Sequence, residues 1–135
     1  MAYSLFWLPD WEAVLLDSGE SGSVVHNASE LGIALCTIDK IVLSHGHCDH
    51  TGGLRELLMV MRKRVEIITH PDMWDAKYVK RPGEVEYRYI GIPFQREELE
   101  SMGASHCTGF GAAVRLAGEF GDIFFVNNTG TRLEV

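Results

Sequence analysis

Cysteine is scarce in this sequence, three in 135 residues. An odd number with no paired spacing excludes a disulfide framework and removes any need for an oxidising compartment. No apolar run approaches the roughly 18 residues that a spanning helix requires, so no membrane crossing is expected. Basic residues are in deficit, 12 against 19 acidic, giving a formal charge of −7. A chain of that sign repels nucleic acid phosphates and anionic lipid, and no basic stripe offsets it, so neither is expected as a partner. Internal repeats and low-complexity tracts are absent. Met1 to Pro9 is apolar and aromatic but has no basic leader, and Asp10 and Glu12 interrupt it; it does not read as a secretory address, and the cytoplasm is the expected location. What remains is the balance of a globular chain, 46% hydrophobic and 23% charged. Its length suffices for one hydrophobic core, so residues 1–135 are expected to form a single domain.

Apolar runs punctuated by glycine and polar turns set the organisation. Ala13-Val14-Leu15-Leu16 reads as a buried strand that ends at Asp17-Ser18-Gly19. From Ser23, the residues Val24, Ala28 and Leu31 recur on one helical face, and Gly32 stands where a helix would stop. Ile41-Val42-Leu43 is a second buried strand, followed at once by Ser44-His45-Gly46-His47-Cys48-Asp49-His50. Thr51-Gly52-Gly53 opens a helix with Leu54, Leu57, Leu58 and Met61 on its apolar face, and Val65 to Thr69 is a third strand. Two strand-helix-strand passages in succession predict an α/β layered fold with right-handed crossovers. Asp72 to Glu100 is harder to read: Pro82-Gly83 marks a turn, Gln95 to Glu100 a solvated helix start, and no function is assigned there. Later, Ala113, Leu116, Ala117 and Phe120 share a helical face, and Asp122 to Val126 reads as a strand.

Three of the six histidines fall within six consecutive positions, together with Asp49, directly after a buried strand. Core packing does not demand that density. Imidazoles two apart in an extended segment point to the same side, so His45 and His47 form a natural ligand pair, with Gly46 leaving the backbone free to turn. Asp49 and His50, at the bend into the next helix, are placed to reach a second ion. Neutral imidazole and carboxylate donors suit a divalent metal: zinc first, with iron or manganese also accommodated, as one or two ions. The competing reading is a polar surface loop whose histidines cap a helix and bond water. On their own, Asp17 reads equally well as a loop carboxylate, and His106 as an imidazole that meets only backbone.

Ser44 to Gly53 resembles the H-x-H-x-D-H signature of metallo-β-lactamase fold hydrolases, and Leu15-Leu16-Asp17-Ser18-Gly19 is similar to that family's upstream strand and Asp-[ST]-Gly loop. Ile68-Thr69-His70-Pro71, Ile90 to Phe94 and His106-Cys107-Thr108-Gly109 are similar to a subgroup labelled 7,8-dihydropterin-6-yl-methyl-4-(β-D-ribofuranosyl)aminobenzene 5′-phosphate synthase-like. The resemblance implies an αββα sandwich, here partial and lacking much of the second half, because a Gly-Cys-[AS]-His segment and several strands of the family have no counterpart. It implies metal ligands His45, His47, Asp49, His50 and His106, with Asp49 also orienting the reactive water and Asp17 acting on the ligands from behind. The implied activity is metal-dependent hydrolysis, water attacking an ester or phosphate-type small-molecule substrate. The alternative is a non-catalytic, shortened metal-binding remnant that self-associates, since a missing half uncovers apolar sheet surface and favours a homo-oligomer.

Overall fold

The computed structural model describes residues 4–7 and 13–108, with side chains described over residues 13–103. The first strand pair is antiparallel, β1 (Ser4–Trp7) against β2 (Ala13–Leu16). From β2 onward every neighbour is parallel: β2 to β3 (Ile38–Leu43), β3 to β4 (Val65–Thr69), and β4 to β7 (Ala104–Thr108). The resulting five-stranded sheet has the order β1-β2-β3-β4-β7.

The helices that make those crossovers are α1 (Ser23–Glu30) and α3 (Leu54–Met61). In α3 the four residues of the apolar stripe, Leu54, Leu57, Leu58 and Met61, are all buried. They share one cluster with Leu15, Ile41, Leu43 and Ile67 from the sheet and with Val24 and Ala28 from α1. Helix α1 ends one residue sooner than its apolar spacing predicts, and Leu31 is 71% exposed rather than part of the stripe. The cause is the stop that follows. Gly32 adopts φ +67°, the Gly32 N–H donates to Ser29 O, and the Ile33 N–H donates to Ala28 O. This paired 5→2 and 6→1 pattern closes a helix over a left-handed residue.

Between β4 and β7 the chain makes a small antiparallel pair, β5 (Tyr78–Val79) with β6 (Arg88–Tyr89), and then α4 (Arg96–Ser101). Pro82 and Gly83 lie in the turn of that hairpin, and Gly83 has φ +89°. The architecture is therefore mixed α/β, with one parallel-dominated layer covered by helices. No helix among the described residues is long and apolar enough to cross a membrane. The helix and strand expected over Ala113 to Val126 lie outside the described residues.

Candidate metal centre

In a parallel sheet, functional loops gather at the carboxyl ends of the strands. Here the loop after β2 and the loop after β3 meet there. The Asp17 N–H donates to Val42 O, Ser18 N–H to His50 O, and Gly53 N–H to Gly19 O. His50 sits on a single helical turn, α2 (Cys48–Thr51), that precedes α3, rather than in an open loop. Thr51, fully buried, donates from Oγ1 to His47 O and ties that turn to the histidine before it.

Asp17 is 4% exposed and holds a left-handed backbone, φ +58°, which aspartate tolerates better than most residues. Its carboxylate accepts from the Ser44 N–H at 2.8 Å, the Ser44 hydroxyl at 2.8 Å and His50 Nδ1 at 2.8 Å. A carboxylate only accepts, so the proton on this side of His50 sits on Nδ1 and leaves Nε2 with a free lone pair. Ser44 Oγ, having given its hydrogen to Asp17, stands 2.9 Å from His45 Nδ1 and accepts from it. By the same logic, Asp17 acting through Ser44 leaves Nε2 of His45 bare.

The candidate donor atoms converge. His45 Nε2 is 3.0 Å from His47 Nδ1, and one donor atom each from His45, His47 and Asp49 lies within 4.8 Å of the others. His50 Nε2 stands 3.7 Å from Asp49 Oδ2, and its ring centroid is 4.0 Å from that of His45. With Nε2 of His45 bare, that contact is a hydrogen bond donated by His47 Nδ1–H, and a cation taken up between the rings displaces that proton. Partial burial, followed by the neighbouring His50 and His47, holds the His45 imidazole below its ordinary 6.5, with Asp17 and Asp49 opposing the shift. At neutral pH that ring is therefore a lone-pair donor. Two imidazoles and a carboxylate fit zinc, and also iron or manganese. His106 lies in β7 opposite Ile67, and its side chain is outside the described residues.

Sequence reasoning had no role for the residues that brace this loop from the other side. His47 forms an isolated antiparallel bridge with Gly91, and the Cys48 N–H donates to Ile90 O. Gly46 lies against the backbone carbonyl of Met73, where a Cβ would collide. Its glycine is thus required by close approach and not by a positive φ. Ser44 was legible only as the residue before the signature. Two other histidines stand apart: His26 is exposed, and His70 accepts from Asp72 N–H at the start of a 3₁₀ turn.

A family model for the metallo-beta-lactamase superfamily matches residues 4–111. The chain belongs to the metallo-beta-lactamase superfamily. Among curated relatives of this superfamily member, a 7,8-dihydropterin-6-methyl-4-(β-D-ribofuranosyl)-aminobenzene-5′-phosphate synthase of Methanocaldococcus jannaschii is 32% identical over 82 residues, 59% of this chain and 27% of that protein. A subclass B3 metallo-β-lactamase of Bradyrhizobium japonicum matches at 25% identity and TM-score 0.40, covering 49% of this chain and 26% of that one. A metallo-β-lactamase of Cronobacter sakazakii matches at 29% identity and TM-score 0.37, covering 46% and 26%. The matched stretch thus spans about a quarter of the length of each of these proteins.

Proposed function

We propose that this superfamily member is a metal-dependent hydrolase in which water attacks an ester or phosphate-type small-molecule substrate. The observation that carries the reading is the convergence of His45 Nε2, His47 Nδ1 and the Asp49 carboxylate at one sheet end. His45, His47 and Asp49 hold a divalent ion, zinc by preference, with His50 and His106 as the further donors. Once bound, such an ion polarises the oxygen under attack and brings water's pKa toward neutrality.

The chain's own residues do the positioning. Asp17 keeps the His50 proton on Nδ1 directly and the His45 proton on Nδ1 through Ser44, so neither ring presents a proton where a lone pair is needed. Asp49, with its side chain 61% exposed, stands on the solvent side of the cluster. There its carboxylate accepts a hydrogen bond from the attacking water and orients it. The superfamily membership supports hydrolysis, while the methanogen relative carries the name of a synthase acting in pterin chemistry. A phosphate-bearing substrate is compatible with both.

The test is turnover of bis(4-nitrophenyl) phosphate and 4-nitrophenyl acetate by zinc-loaded protein, beside His47→Ala. Zinc-dependent release of nitrophenol that His47→Ala abolishes supports the proposal. Zinc held stoichiometrically with neither ester cleaved contradicts it and favours the non-catalytic metal-binding alternative.

A further inference from the structure

Among the described residues, opposite charges stand unpaired at opposite ends of the sheet. At the amino ends of β4 and β7 lies a cleft of about 330 Å³, lined by Arg62, Lys63 and Arg64 together with Met102. Lys63 reaches Asp39 at 3.6 Å, but Arg62 and Arg64 are exposed and pair with no carboxylate among the described residues. Glu100 also borders the cleft, and its charge is met by Arg96 at 3.0 Å. The dipole of α3 favours a cation at this end, yet three adjacent cations repel one another unless an anion lies among them. Arg62 moreover holds φ +50°, at a helix end where glycine is the usual residue.

At the carboxyl end, the hairpin of β5 and β6 projects from the molecule, and every residue from Lys80 to Tyr89 is exposed. Its tip carries Glu84 and Glu86 on either side of Val85, which is 89% exposed, more than any other large hydrophobic side chain among the described residues. Neither glutamate has a cationic partner there; Glu84 accepts only from the Arg81 N–H. Lys80, Arg81 and Arg88 make the hairpin positive as a whole, with Lys80 held 5.2 Å over the Tyr87 ring, so the negative charge is confined to residues 84–86. The base of the hairpin is fixed. Lys77 Nζ donates to Asp72 O at 2.6 Å and to Asp75 O at 3.0 Å, and the Tyr78 and Tyr89 rings meet edge-on. A solvated turn gains nothing from a bared valine, whereas a partner that buries it gains its apolar area.

We propose that the hairpin tip of one copy of this chain inserts into the basic cleft of a second copy, Val85 against Met102 and the two glutamates against Arg62 and Arg64. The arginines are two residues apart, as the glutamates are, and a guanidinium offers a carboxylate two parallel N–H donors. Pairing hairpin with hairpin, or cleft with cleft, would instead set like charges together. Because tip and cleft lie at opposite ends of the sheet, the contact is heterologous: each copy gives one tip and one cleft, and the assembly closes into a ring or continues as a chain. It uses the two ends of the sheet, not its apolar face. A contact centred on one turn is smaller than a standard interface, so the association is weak and concentration-dependent.

The experiment is sedimentation velocity of the full chain from micromolar to millimolar concentration. The expected result is a weight-average mass that rises above the monomer with concentration in the native protein and stays at the monomer in two variants. One alters the tip, Val85→Ser with Glu86→Gln. The other alters the cleft, Arg62→Gly with Arg64→Gln, the glycine suiting the left-handed backbone. Circular dichroism spectra that match the native protein show that both fold, and Glu86→Lys alone, a reversal on an exposed turn, should also abolish association. Mixed in equal amounts, the two double variants should form a species of two chains and nothing larger, because one intact tip and one intact cleft remain between them. A native protein that stays monomeric throughout overturns the proposal, as does association that any of the variants retains. Loss in both double variants without recovery on mixing overturns the pairing of tip with cleft.

Discussion

Asp17 governs two imidazoles with one buried carboxylate, and this makes it the most consequential single residue outside the ligand set. Asp17→Asn keeps the shape and suits the left-handed backbone, but its amide end donates where His50 Nδ1–H or the Ser44 hydroxyl needs an acceptor. We expect zinc affinity to fall by about 10- to 100-fold, as for other carboxylates that orient a ligating histidine. Ser44→Ala cuts only the relay to His45 and should cost about tenfold, at the low end of the same range. Competition titration against a chromogenic chelator measures both; an unchanged affinity in Asp17→Asn would remove its positioning role. His45 adds a pH dependence of known sign. Its folded-state value lies below 6.5, so between that value and 6.5 the unfolded chain binds more protons than the folded one, and stability falls as pH drops through the window. Metal-free protein should lose stability from pH 7.5 to 5.5 in urea titrations, and His45→Gln should lose less. Equal losses in the two proteins would contradict the assignment.

At the scale of elements, the metal loop is a clamped connection between β3 and α3. Gly46→Ala places a methyl into the Met73 carbonyl and should cost about 3 kcal/mol, near the upper end for forcing an extra carbon into a packed site. Denaturant unfolding checks this, and a change within roughly 0.5 kcal/mol, typical of an unconstrained surface site, would show that the clamp yields freely. Leu57→Ala in α3 empties a fully buried position and should cost about 3 kcal/mol without altering which residues face the ion. What the sequence disclosed about elements follows from burial. Ala13 to Leu16 stands out as a strand because an uninterrupted apolar run matches an interior strand, and Val65 to Thr69 because Val65, Ile67 and Ile68 are apolar and His70-Pro71 ends the run. Strand β3 was legible only from Ile41, since Asp39 and Lys40 read as a polar lead-in although Lys40 is buried in the sheet. The hairpin β5–β6 was invisible because its strands are two residues long and mostly exposed, so no apolar periodicity marks them. The signature histidines were legible from spacing alone. Their bracing by Ile90 and Gly91 was not, because a backbone bridge over forty residues of chain leaves no side-chain pattern.

At the scale of the whole molecule, the proposed metal uptake should be coupled to folding. The donor atoms come from one loop, but their orientation depends on Asp17 after β2 and on the hairpin segment after β4, which only the folded chain brings together. Zinc should therefore stabilise the protein by about 4 kcal/mol when free ion stands at 1,000 times its dissociation constant. A thermal unfolding midpoint that rises with zinc and returns on chelation is the corresponding signal; a midpoint indifferent to zinc would separate the loop from the fold. The central claim, that His45, His47 and Asp49 together grip a divalent cation, is tested most directly by calorimetric titration of zinc into metal-free protein beside His47→Ala. The account predicts at least one zinc per chain in the native protein and a loss of 100-fold or more in affinity in the variant, the upper end of what ligand-shell changes produce. Weak zinc binding of the same strength in both proteins would contradict it.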